Sequence, residues 1–186
     1  METKNGIEVR TISLIVFSLL MFYLISCSES PEQIHSANNI RMMDDTLLNY
    51  NKQVVREESL EIEDFINRYH WKMNTTQTGL RYMIYKNGKG PYARKGDLVS
   101  IKYNVRLLNG DLVYKSDSLA PFKFEIGKRK VANGLEEGVM LMKPGDIAKL
   151  VVPSHLAFGL IGDMDKIPNR AILVYDVEIC YINKPN

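Results

Sequence analysis

Between Pro121 and Gly159 the spacing of apolar residues switches from two to about 3.6 and back, and this switch constrains the fold more than any other feature of the chain. Phe122, Phe124 and Ile126 alternate with Lys123 and Glu125, the pattern of a half-buried strand. From Gly134 to Met142, Leu135, Val139 and Met142 lie three and four apart, which suits one or two turns of helix. After Pro144-Gly145, Ile147, Lys149 and Val151 set against Ala148, Leu150 and Val152 read as a strand with apolar residues on both faces, ended by Pro153. A short helix bracketed by strands fits a curved sheet that covers one small helix and leaves its end open to a ligand.

The chain begins with an address. Lys4 and Arg10 precede an apolar run from Ile12 to Ile25, the length of a secretory leader and short of the roughly 20 residues a spanning helix needs. Leu24-Ile25-Ser26-Cys27 follows and resembles the bacterial lipobox, whose cysteine carries lipid and becomes the first mature residue. An uncleaved anchor, or an ordinary leader with a chance cysteine, is the alternative. The residue types around Cys27 and the polar segment after it favour lipidation at Cys27, and so a cell-envelope protein anchored to a bacterial membrane and facing the periplasm or outside. Cys180 would then be alone in an exported chain, a small packed strand residue rather than half of a disulfide.

Residues 27–44 are polar and lack a sustained apolar period, which predicts a flexible tether. Residues 45–74 change character: Leu47, Leu48, Val54 and Val55, then Ile62, Phe65, Ile66 and Tyr69, recur at helical spacing, with Ser59 a candidate cap for the second half. One long helix and two shorter ones both fit. The apolar stripe packs on the main domain or pairs with another copy or a partner helix, and oligomeric state stays open. Residues 75–186 form the main domain. Leu80, Tyr82 and Ile84 alternate, then Val99, Ile101, Tyr103, Val105 and Leu107, and Asn109-Gly110 is a strong hairpin signal. Strands then run over Leu112–Tyr114 and Ala171–Ile182. The fold class is α+β, an antiparallel sheet wrapped around one short helix, with an N-terminal helical extension.

Several chemistries are excluded. The 24 basic and 22 acidic residues are interspersed, with no basic stripe among aromatics, so nucleic acid is not a partner. The run Lys128-Arg129-Lys130 reads as a solvated turn. His35, His70 and His155 share no ligand spacing with each other or with Asp163 and Asp165, so no metal and no cofactor is expected. Glu136 and Glu137 point about 100° apart on a helix and cannot share a proton by spacing alone. No nucleophile elbow or phosphate loop is present. What remains are apolar and aromatic residues near turns, which on pattern alone are either ordinary core or the lining of a pocket.

A set of short motifs, in order and almost without gaps from about Gly90 to Ile182, decides between these. They are Val99 to Tyr103, Asn109-Gly110, Pro121-Phe122-Lys123-Phe124, Ile126-Gly127, Gly134-Leu135-Glu136-Glu137-Gly138, Ala148-Lys149-Leu150, Ala157-Phe158-Gly159, Ile167-Pro168 and Leu173-Val174-Tyr175-Asp176-Val177. This half of the chain resembles the FKBP-type peptidyl-prolyl cis-trans isomerases. With the lipobox and helical extension, the chain looks most like the lipoprotein isomerases associated with gliding motility in the Bacteroidetes.

The resemblance implies a sheet around a short helix with the ligand pocket between them. By position it implies that Tyr103, Tyr114, Phe122, Val131, Ala132, Leu135, Phe158, Ile167 and Tyr175 line the site, with the backbone N–H of Ala132 meeting a substrate carbonyl. The implied partners are proline-containing segments of exported proteins, and the implied role is a membrane-tethered isomerase that assists their folding. A non-enzymatic chaperone or interaction module that keeps the pocket is the alternative. Three positions depart from the family. Leu135 stands for tryptophan on the pocket floor, Phe158 for tyrosine, and Val113-Tyr114 for phenylalanine followed by aspartate, so a hydroxyl and a carboxylate are lost and reduced activity is expected.

Overall fold

The computed structural model describes residues 31–184, apart from Ser118. The leader and Cys27 lie outside the described residues. Helix α1 runs without a break over Pro31–Arg68. Residues 31–44, read from sequence as a tether, are therefore helical. The physical reason is legible in retrospect: Ser30-Pro31-Glu32-Gln33 is a helix-start pattern, and it outweighs the weak helix preference of Asn38-Asn39. No helix among the described residues is long and apolar enough to cross a membrane.

By its internal contacts the chain divides between Tyr50 and Asn51. In the first unit the described residues are all helical. The second holds the rest of α1 and the sheet, built from β1 (Asn74–Thr75), β2 (Arg81–Lys86), β3 (Leu98–Leu107), β4 (Leu112–Lys115), β5 (Phe122–Glu125), β6 (Ile147–Val152) and β7 (Leu173–Asn183). Helix α2 (Asn133–Met140) precedes β6, and a 3-10 turn, Ser154–Leu156, follows it. The strand order is β1-β2-β6-β7-β3-β4, with β5 also on β3, and all pairs are antiparallel. The α+β class and the strand–helix–strand unit expected from sequence are those of the structure.

One edge of β3 has two partners. Its first half pairs with β5, Ile101 opposite Phe122, and its second half with β4, Val105 opposite Tyr114. Tyr103 lies at the break, where its N–H donates to Ser116 Oγ at 2.9 Å instead of to a strand. That edge of β3 is therefore broken at Tyr103, while the other stays paired with Val177 of β7.

The inner face of the sheet wraps α2. Leu135 and Val139 of the helix and Met142 just after it join Ile101, Leu150, Leu173 and Val177 in one buried cluster. The helix approaches β6 closely because Gly134 and Gly138 face it: an added Cβ would overlap Val152 Cγ1 at the first position and Leu150 Cδ1 at the second.

The outer face explains why β6 is apolar on both sides. Val151 and Val174 point away from α2 and, with Ile172, pack against Ile62, Phe65 and Ile66 of α1. The part of the apolar stripe at Ile62, Phe65 and Ile66 thus docks on the sheet, whereas Leu47, Leu48, Val55 and Tyr69 are exposed. Polar ties reinforce it: Arg81 is held by Glu63 at 2.9 Å and donates to Ser59 Oγ at 2.7 Å. Ser59 serves as this acceptor inside a continuous helix, rather than as a cap. Cys180 lies half-buried on β7, and burial, with Glu178 nearby, pushes its thiol up, which suits an unreactive residue.

Candidate active site

All nine lining residues expected from the sequence surround one cavity of about 390 Å³. The sheet register makes half of it. Val105 on β3 is opposite both Tyr114 on β4 and Tyr175 on β7, and directly opposed residues share a face. Tyr103 and Phe122 stand edge to face across the β3 break, ring centres 5.9 Å apart at 87°. Val131 and Ala132 lead into α2, and Leu135 lies in its first turn. Phe158 and Ile167 come from the segment joining the 3-10 turn to β7. Val105, Leu135, Ile167 and Tyr175 are buried floor, whereas Phe122 and Phe158 are 38% and 39% exposed at the mouth.

Three further lining residues were not singled out from sequence: Val105, Lys130 and Asp163. Lys130 belongs to the basic run read as a solvated turn, and it stands at the rim. Asp163 matters more. Its Oδ2 accepts the Tyr114 hydroxyl at 2.5 Å, and its Oδ1 accepts the N–H groups of Asp165, Lys166 and Ile167 at 3.0, 3.0 and 2.7 Å. The position that lost a carboxylate in sequence terms, Tyr114, thus recruits one from the loop opposite. A local signal existed, since aspartate in Gly162-Asp163-Met164-Asp165 is a turn-former that binds nearby N–H groups. Its pairing with Tyr114, remote in sequence, left no local trace.

The charges follow from this geometry. The hydrogen bond to Asp163, with partial desolvation and the nearby Asp165, raises the Tyr114 phenol above its ordinary range. Desolvation pushes Asp163 up, but the Tyr114 hydroxyl and the three N–H groups outweigh it and hold the carboxyl at about 2. Burial raises Tyr103 and Tyr175 as well. All three phenols therefore stay neutral at physiological pH. Because the Tyr114 proton is committed to Asp163, the phenol oxygen faces the cavity as an acceptor.

A depressed carboxyl stabilises the fold above its ordinary value of 3.8, and that stabilisation is lost as pH falls through about 2. Tyr114→Phe removes one of the groups that depress it. We expect the Asp163 carboxyl carbon, followed by NMR, to titrate above 2 in this variant. An unchanged midpoint would show that the phenol does not hold the loop.

The hydrogen bonds among the described residues leave the Ala132 N–H unused, at the mouth of α2 and on the cavity wall. The site thus combines an apolar floor, an aromatic rim, the Ala132 N–H and a neutral phenol acceptor. It can hold a small apolar ring and fix the polar backbone groups beside it.

Comparison with known proteins agrees with this arrangement. The family model for FKBP-type peptidyl-prolyl cis-trans isomerase matches residues 90–180. FK506-binding protein 2 of Dictyostelium discoideum is 42% identical over 91 residues, 48% of this chain and 68% of that protein. A probable FKBP-type peptidyl-prolyl cis-trans isomerase FkpA of Neisseria meningitidis serogroup B is 38% identical over 114 residues, 61% of this chain but 41% of that protein. The chain thus spans less than half the length of the Neisseria relative. Among solved structures, FkpA from Escherichia coli shares the fold, with a TM-score of 0.61 at 24% identity, covering 92% of this chain and 82% of that one. AtFKBP13 has a TM-score of 0.55 at 28% identity, over 60% of this chain and 98% of that one. With the motifs, the sheet wrapped around α2 and the cavity between them, these matches show that the chain belongs to the FKBP-type peptidyl-prolyl cis-trans isomerase family.

Proposed function

We propose that this protein is a peptidyl-prolyl isomerase, held at a membrane through lipid on Cys27, that assists the folding of exported proteins. The observation that carries the catalytic part is the convergence of four strands, α2 and the segment before β7 on one apolar cavity with an unused N–H at its edge. Rotation about an X-Pro bond is slowed by a barrier of about 18–20 kcal/mol from amide resonance, and needs no proton transfer. The twisted amide is less polar than the planar one, so an apolar, water-poor pocket favours it. Phe122, Val131, Leu135 and Tyr175 hold the proline ring, and Tyr103 and Phe158 contact its neighbours. Ala132 N–H binds a substrate carbonyl, and Tyr114, locked by Asp163, accepts from the substrate backbone. Lowering the barrier by about 4 kcal/mol would speed rotation about a thousandfold.

The lipobox supports the tether, and the lipobox together with the helical extension supports grouping the protein with the gliding-motility lipoprotein isomerases. A protease-coupled isomerisation assay on a soluble form beginning after Cys27 tests the activity. We expect first-order acceleration proportional to enzyme concentration. A rate equal to buffer would sink the enzyme reading and leave a proline-binding module, and the absence of lipid on Cys27 by mass spectrometry would remove the tether.

A further inference from the structure

We propose that helix α1 is a working part of the isomerase site, with Glu58 as a positioning residue that fixes the segment carrying Phe158, Asp163 and Ile167. The proposal rests on the isomerase reading above. Glu58 does not line the cavity, yet it is 4% exposed, and both its oxygens are occupied. Oε2 accepts the Ser154 N–H at 3.0 Å and Oε1 accepts the Ser154 hydroxyl at 2.6 Å. Arg170 Nε, buried and without a hydrogen-bond partner among the described residues, is 3.9 Å from the same Oε1. Ser154 and Arg170 are the two ends of the pocket segment. One carboxylate on α1 therefore grips both.

The grip is transmitted by backbone bonds. Gly159 donates its N–H to Ser154 O at 2.8 Å, and its carbonyl accepts the Arg170 N–H at 2.8 Å. Both ends thus meet at the residue after Phe158. Within the segment, Asp163 closes the turn to Ile167 through three N–H bonds and reaches Tyr114 across the cavity. The segment is then a stiff unit fastened at its base to α1 and at its tip to β4. Its placement over the Tyr103–Phe122 wall depends on where Glu58 holds the base.

Packing alone gives no reason for a carboxylate here. The neighbouring turns of α1 bury Val54 and Ile62, and an apolar residue would serve burial at lower cost, since a buried charge must recover its desolvation through well-placed partners. What the carboxylate adds is direction. It specifies the distance from helix to segment through two donors on Ser154 and one cation on Arg170.

The experiment compares Glu58→Gln with Glu63→Gln in the soluble form. Glu63 is on the same helix and ties it to Arg81 on β2, with no hydrogen bond or ion pair to the pocket segment among the described residues. Glutamine at position 58 keeps the volume but loses the charge facing Arg170 and one of the two acceptors facing Ser154. We expect kcat/KM to fall about tenfold for Glu58→Gln and to stay within about twofold for Glu63→Gln. Amide exchange should quicken at 157–167 while β3 and β7 stay protected. Ser154→Ala, which removes only the hydroxyl donor, should shift both readouts in the same direction and decides the matter if Glu58→Gln does not fold. Equal activity in the two glutamine variants, or faster exchange spread over the whole sheet, would overturn the proposal. If the wild-type protein shows no turnover, the isomerase reading fails, and segment exchange alone still decides whether Glu58 clamps the pocket.

Discussion

Phe122→Ala is expected to lower kcat/KM about 30-fold in the molecules that remain folded. The ring is 38% exposed at the cavity mouth, and a phenylalanine presents about 200 Å² in all. Substrate would cover about 75 Å² of it, worth about 2 kcal/mol at about 25 cal/mol per Å². That converts to about 30-fold in rate. The stability loss is comparable, about 2–3 kcal/mol, because the buried part of the ring packs edge to face on Tyr103 and stacks on Phe124. Phe124, two residues along the same strand and 1% exposed, belongs to the core and not to the cavity. An isomerisation assay and a thermal melt on Phe122→Ala check both halves. A rate within about threefold of wild type would place the substrate elsewhere.

The second large effect concerns stability. Ile62→Ala should destabilise the protein by about 2–4 kcal/mol, because Ile62 is fully buried between α1 and the outer face of the sheet. For a domain of this size the melting temperature should fall by about 6–15 °C. Trp71, the only tryptophan, reports the event locally: it stacks on Tyr69 at 4.9 Å, meets Phe65 edge-on at 5.6 Å and has Lys149 over its ring. Its emission should shift to the red before the main transition if α1 loosens first. An unchanged melting temperature would mean that α1 is not part of the cooperative unit.

Legibility from sequence followed the range of the interactions involved. The alternation in β3 and β5, the short helix between Gly134 and Met142 and the turn at Asn109-Gly110 are set by neighbours within a few residues, and they were readable. The two-faced apolar pattern of β6 was readable too, but the partner of its outer face was not: the stripe on α1 fits a sheet, a second copy or another helix equally well. The nine lining positions were placed by motif, and the structure brings them together. Asp163 and Lys130 were missed because their roles depend on where two loops fold over the cavity. The carboxylate counted as lost at Tyr114 shows the cost of reading one position at a time, since the loop opposite supplies another. Glu58 was invisible for the same reason, a helical glutamate whose partners are about a hundred residues away.

The lengths of the outermost strands carry a last consequence. β1 has two residues, β4 four and β5 four, so the sheet ends in short runs of unpaired backbone. If the proposed function holds, the protein meets extended polypeptides ready to add themselves as an extra strand. Short borders give such chains too few hydrogen bonds to hold on. Under the proposed function, a client would be gripped at the proline and released, rather than zipped onto the rim of the sheet.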